Sequence, residues 1–262
     1  MTNKNTILMI FAGPAKHKWH QSYDYYMSFY NNILSPLMPR FNIYISIGCE
    51  DEYVHDWQVE MIEKLPPEIK GVIHVLEPVN YDESCAFTQD RCTHPHRLLC
   101  IRNHSKLYYT FHKALAYMNH HKIDFDFIFK MRFDLFYNPS EIFDPEWLSN
   151  IPDRTILVPS TEFHMPDRWK ERVNSIWPTW PILICDQMLV GTKEVMTIYF
   201  NIYRYDGPVG DKTYGIESVL ANYFVNNNIG CLTFDLQMSQ PGGPSFVIGN
   251  GGWLPKRENI LR

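Results

Sequence analysis

The sequence has no long apolar run. No stretch approaches the ~20 residues that a membrane-spanning helix needs. It also lacks a basic run: formal net charge is -5 and pI about 6.1. That argues against a broad nucleic-acid surface and leaves room only for a local basic pocket. Neither G-x-G-x-x-G nor G-x-x-x-x-G-K-[ST] occurs, so there is no dinucleotide fingerprint and no P-loop. There is no internal repeat and no low-complexity tract. Near the N-terminus only residues 7–12 are apolar, too few for a signal-peptide core, and no small-residue cleavage pattern follows. Six cysteines, at 49, 85, 92, 100, 185 and 231, are scattered along the chain. That pattern reads as reduced thiols and not as a disulfide framework. Together these absences predict a soluble, cytoplasmic chain with no nucleic-acid partner and no transmembrane segment.

What is present is apolar and aromatic. Of 262 residues, 45% are hydrophobic and 15% aromatic, enough for a sizeable core. Residues 6–11 (TILMIF) predict a buried strand stopped by Ala12-Gly13-Pro14, with Lys16 in the following loop. Residues 23–34 predict a helix, 41–47 a strand ending at Gly48, 56–65 a helix stopped by Pro66-Pro67, and 71–76 a third strand. The order β-α-β-α-β argues for a parallel sheet with crossover helices.

Residues 77–100 carry Cys85, Cys92, His94, His96 and Cys100, spaced C-x6-C-x-H-x-H-x3-C. The paired C-x2-C spacing of common zinc modules is missing, so no zinc is expected there. Residues 103–119 predict the longest helix, with Leu107, Thr110, Phe111, Ala114, Leu115 and Met118 on one face. Arg102 and Lys106 fall near its expected start, where a helix N-terminus with a cation suits a phosphate.

Residues 124–138 follow, and the rest of the chain is organised around them. Phe125, Phe127 and Phe129 alternate with Asp126, Ile128 and Lys130, as in a mostly buried strand. At its end Arg132 and Asp134 are two apart and so share a face. In open α/β sheets ligands bind beyond such ends. A carboxylate there can hold a hard divalent cation, and an arginine can pair with phosphate oxygens. The competing reading is a plain ion pair at a strand end.

Beyond lie a loop with one helical turn (139–148), a strand (155–159) and a segment with Trp169, Trp177 and Trp180 among three prolines. Those tryptophans suit either buried packing or a sugar ring. Asp186 and Gln187 precede a short strand, residues 188–191. A helix is expected over 194–203 and another from Gly215 to about residue 226, with Ile216, Leu220 and Phe224 on its apolar side. Glu217 stands in that helix's first turn, where the dipole favours an anion. A last strand covers 231–236. Residues 240–262 hold Pro241, Pro244 and Pro255, then Lys256 and Arg257, as in a tail or lid.

The order of these motifs resembles GT-A fold glycosyltransferases, of the WavE-like type and related microbial and large-virus sugar transferases. The residues that carry it are the first strand with its Gly loop, Lys106, FIFKMRFDLFY, DQMLVG and IESVLANYFVNNNIG. The resemblance covers about residues 6–236. It implies an α/β, GT-A-like, Rossmann-related fold: a mostly parallel central sheet flanked by helices in a single domain. The nucleotide-sugar half would be about 1–138 and the acceptor half about 139–239.

The resemblance also implies a nucleotide-sugar-dependent hexosyl- or pentosyltransferase that uses a UDP- or GDP-sugar and a glycan hydroxyl. Arg132 stands at the first position of the family's D-x-D and Asp134 at the second, which binds Mn²⁺ or Mg²⁺. Glu217 matches the family's catalytic base, with Asp186 as the second choice. Donor contacts would come from Gly13, Lys16, Arg102, Lys106, Arg132, Asp134, Lys256 and Arg257. Acceptor contacts would come from Trp177, Trp180 and Gln187. The chain departs from the pattern in the missing first Asp and in having no histidine after His164. Two other readings stay open: a nucleotidyl- or phosphotransferase on a similar sheet, and a non-catalytic carbohydrate-binding protein.

Overall fold

A computed structural model describes residues 4–12, 23–50, 56–76, 97–132, 135–137, 142–159, 188–204, 220, 223–224, 226–234, 236 and 238–239. Seven strands form one sheet: β1 (Thr6–Phe11), β2 (Asn42–Glu50), β3 (Lys70–Leu76), β4 (Phe127–Met131), β6 (Thr155–Pro159), β7 (Leu189–Thr192) and β8 (Gly230–Phe234). Their order is β3-β2-β1-β4-β7-β6-β8. β7 runs antiparallel to both its neighbours, and the other pairings are parallel. A separate small sheet pairs β5 (Phe136–Tyr137) with β9 (Met238–Ser239). The fold is therefore the expected α/β class, a mostly parallel sheet with helices packed on it.

Both sheet faces are covered, which is why the strands read as continuous apolar runs. β1 is buried at every position. On one face Leu8, Ile10 and Ile128 pack with Leu107, Phe111, Ala114 and Met118 of α4 (Arg97–His120), and with Val195, Tyr199 and Phe200 of α6 (Lys193–Phe200). Phe111 and Phe200 stack with centroids 4.4 Å apart, tying α4 to α6. Of the face expected for α4, Leu107, Thr110, Phe111, Ala114 and Met118 are buried, and Leu115 is partly so. The helix starts at Arg97, six residues earlier than the apolar spacing suggested.

The other face packs Ile7, Met9, Phe11, Phe129 and Met131 against Phe29, Ile33, Leu34 and Leu37. These last belong to α1 (Tyr23–Phe29), a π-helical stretch (Tyr30–Leu34) and α2 (Ser35–Leu37). Pro36 explains part of that irregular helix. It has no N–H to offer the carbonyl of Asn32 four residues back. The Phe143 N–H donates to that carbonyl instead, at 2.8 Å. Phe143 is thereby held against Phe129 and Phe234. The described residues 220, 223, 224 and 226 are helical, and Leu220 and Phe224 are buried as their spacing predicts.

Candidate functional site

The strand order changes direction at β1. The chain steps from β1 outward through β2 to β3, then returns to lay β4 on β1's other side. In open α/β sheets ligands bind at such a reversal, beyond the C-terminal ends of the strands. Phe11 pairs with Met131 there. Ala12 and Arg132 are thus the first residues past the paired strands. Arg132 is half-buried. The strand predicted over 124–138 is shorter than expected: it ends at Met131, and β5 resumes at Phe136 in another sheet. Arg132 accordingly leaves the ladder instead of standing within it.

Alternation along β4 puts Ile128 and Lys130 on the α4 face. Lys130 pairs with Ile10 on one side and Leu189 on the other. It is 1% exposed and is the one charged side chain among the described buried residues. Lys106 approaches the same end from above. One turn on from it, Thr110 lies so close to Gly48 that a Cβ there would sit 1.8 Å from the Thr110 hydroxyl oxygen. Gly48 permits this contact, and the Thr110 hydroxyl donates to the Lys106 carbonyl at 2.6 Å. Lys106 therefore lies about 6 Å nearer the C-terminal end of the sheet than Gly48, by the helical rise of about 1.5 Å per residue. Lys106, Lys130 and Arg132 each already engage a partner within the chain.

The longer α4 corrects one expectation. Arg102 is in its second turn and Lys106 in its third. The dipole's effect falls off within the first turn, so neither serves as an N-terminal phosphate cap. Cys100 lies on α4 as well, not in the preceding loop.

β5 and β9 position the C-terminal segment. Phe136 pairs with Ser239 and Tyr137 with Met238, and the Tyr137 N–H donates to Ser28 Oγ at 3.1 Å. The chain thus enters residues 240–262 opposite a position two residues after Asp134. The flanks of other candidate segments reach the same end of the sheet. Residues 160–187 run from the end of β6 to Met188, just before Leu189 pairs with Lys130. Residues 205–219 leave from Arg204, whose guanidinium lies 5.0 Å above the Tyr108 ring on α4. Gly13, Lys16, Asp134, Trp177, Trp180, Asp186, Gln187, Glu217, Lys256 and Arg257 themselves lie outside the described residues. So do Cys85, Cys92, His94 and His96. Among the described residues no group of three or more His, Cys, Asp or Glu could hold a metal ion. No described helix is long and apolar enough to cross a membrane.

An aromatic cluster stands beside Arg204. Tyr108 meets Tyr203 at 5.4 Å and His112 at 4.3 Å. Burial lowers the His112 pKa, a hydrogen bond with Asn201 opposes that, and the Arg204 charge adds to the lowering. Its Nε2 is buried without a hydrogen-bond partner, which a neutral ring tolerates better than an imidazolium. His74, beside Ser46 at 3.4 Å, is also lowered, first by burial and then by Lys113. Cys231 is a half-buried residue with a buried sulfur, and burial pushes its thiol up to about 12. It is therefore an inert thiol.

Lys130 was the residue that sequence reasoning passed over. Its signal was a lysine inside an otherwise apolar strand, two positions before an arginine. β9 was missed too, because two residues carry no periodicity.

No protein-family model matches the chain, and no curated protein matches it. Among solved structures it is similar to the nucleoside-diphosphate-sugar pyrophosphorylase of Vibrio cholerae, at 11% identity and TM-score 0.43, over 86% of this chain and 89% of that one. It is similar to mouse xyloside xylosyltransferase 1 in its apo form, at 10% identity and TM-score 0.42, over 88% and 85%. It is also similar to the galactosyltransferase LgtC in complex with donor and acceptor sugar analogs, at 11% and 0.43, over 83% and 70%. Likenesses this distant say nothing of the reaction, so the reading of the site rests on its own geometry.

Proposed function

We propose that this chain is a GT-A-type glycosyltransferase that moves a hexosyl or pentosyl unit from a UDP- or GDP-sugar to a glycan hydroxyl. One observation carries the reading: β4 ends at Met131 and delivers Arg132 to the C-terminal end of a central strand, at the point where the sheet order reverses. A nucleoside diphosphate placed there meets cations already anchored by the fold. Its developing charge on departure needs fixed positive partners, and preorganised ones need no reorganisation during the reaction. Arg132 and Lys106 supply them, with Lys256 and Arg257 brought by the C-terminal segment that follows Ser239.

The described cations suit phosphate oxygens and offer a divalent ion no ligand. Asp134 is therefore the oxygen donor on which a metal would depend. Mn²⁺ or Mg²⁺ bound there would supply Lewis-acid stabilisation of the leaving diphosphate. On the acceptor side Glu217 takes the proton of the attacking hydroxyl, with Asp186 as the competing carboxylate. Trp177, Trp180 and Gln187 hold the acceptor sugar. Residues 240–262 close over the donor and exclude water, which limits its hydrolysis.

The test is thermal shift across a panel of UDP- and GDP-sugars, with and without Mn²⁺. A selective ligand stabilises the folded chain by mass action. The reading expects one nucleotide class to raise the melting temperature. A flat response to every nucleotide sugar, alongside a shift with free glycans, would instead favour a carbohydrate-binding protein.

A further inference from the structure

Lys130 has no role in the reaction as proposed so far. It lies in a strand whose burial is complete from Ile128 to Met131, with Ile10 and Leu189 beside it. At 1% exposure its ammonium sits where an ion costs several kcal/mol of desolvation. A methionine would fill a similar volume without that cost. The cation stands in the second-last position of β4, two residues before Arg132, at the strand end where the sheet order reverses. Buried ionisable groups in such places are candidates for function.

We infer that Lys130 is a buried positioning cation of the nucleoside-diphosphate subsite, acting with Arg132 from beneath the end of β4. This rests on the glycosyltransferase reading above. Lys130 does not touch the ligand. It contributes a fixed positive potential at the strand end, through the interior, where charge interactions are stronger than in water. It already engages a partner in the chain, and that contact holds its position. Arg132, half-buried at the rim, is screened by salt more than Lys130 is. The two cations therefore differ in a measurable way: the loss from removing Lys130 is insensitive to ionic strength, and the loss from removing Arg132 shrinks as salt rises.

The experiment is isothermal titration of UDP and GDP into wild type, Lys130→Gln, Lys130→Arg and Arg132→Gln, at about 50 mM and about 500 mM salt. Lys130→Gln should lose about tenfold or more in affinity, by the same factor at both salts, and Lys130→Arg should regain most of it. A Gln variant that binds like wild type overturns the assignment, as does an equal loss in the Gln and Arg variants, which would mean shape matters and charge does not. If Lys130→Gln does not fold, the side-chain ¹⁵N resonance of Lys130 in the wild type decides. It should shift when the nucleotide is added, and an unmoved signal overturns the proposal. Wild type that binds neither UDP nor GDP removes the glycosyltransferase reading and this assignment with it. Tight wild-type binding left untouched by Lys130→Gln removes this assignment alone.

Discussion

In sequence, β4 has Asp126 just before its first residue and Asp134 three positions past its last, and the two ends of the sheet treat charge differently. At the N-terminal end Asp126 is part of the scaffold. Its carboxylate accepts from the Thr6 N–H at 2.8 Å, and its backbone carbonyl accepts from the Lys193 N–H at 2.8 Å. Around it Lys193 pairs with Asp124 at 2.7 Å, and the Arg154 side chain donates to the carbonyls of Asn227 and Asn228. Those charges tie chain ends to strand starts, and they stand in solvent. At the C-terminal end three described cations stand otherwise: Lys130 is buried within β4, Arg132 follows its last residue and Lys106 lies on the covering helix. The same strand thus starts beside a structural carboxylate and ends beside described cations. Residue type alone does not separate the two aspartates. Their ends of the sheet do.

The largest effect belongs to the acceptor side. Glu217→Gln keeps shape and removes charge, so transfer should fall by roughly 10²–10⁴ while donor affinity and melting temperature hold. A product assay by mass spectrometry checks it. If the variant stays active and Asp186→Asn is dead, the base is Asp186.

Next comes the carboxylate past the strand end. Asp134→Ala should weaken nucleoside-diphosphate binding by roughly 10- to 100-fold when Mn²⁺ is present and leave stability unchanged. Isothermal titration with and without the metal reads it, and equal, metal-independent affinity in both proteins would remove the metal role.

The mirror experiment is Asp126→Ala. It strands the Thr6 N–H, at a cost of about 1–2 kcal/mol. The melting temperature should drop by about 2–8 °C, with nucleotide affinity unchanged. A variant that keeps its stability and loses binding would reverse the comparison between the two ends.

The smallest effect is on pH dependence. His74 and His112 have folded pKa values below their usual one, so the native state prefers them neutral. The unfolded chain binds more protons as pH falls. Their contribution is fully present above about pH 6.5 and is lost as pH drops through the lowered folded values. Thermal melts from pH 7.5 to 5 should show declining stability, and His112→Gln should flatten the decline. A pH-independent difference between the two proteins would exclude His112 as a cause.

Much of the sheet was legible because both its faces are buried. The TILMIF run of β1 and the apolar run of β6 have the bounds their composition predicts. The apolar face of α4 was readable from the i, i+3, i+4 spacing, but its start was not, because residues 97–102 lie before that spacing begins. The direction of β7 was not readable either, since four apolar residues look the same in either orientation. For the site, Arg132 was visible as a cation at the end of an apolar strand, and the face it was expected to share with Asp134 lies outside the described residues. Lys130 was hidden because alternation alone does not say whether a face is solvent or core. Only the packing of α4 and α6 reveals that this lysine is inside.

The central claim is that ligand binds at the C-terminal end of β1 and β4. Hydrogen exchange tests it most directly, with whichever of UDP or GDP gives the larger thermal shift at saturation. The account expects slowed exchange in peptides spanning the end of β1 and residues 130–137, with the strand starts around Thr6 and Phe127 unchanged. Protection at the strand starts, or no protection at either end, would contradict it.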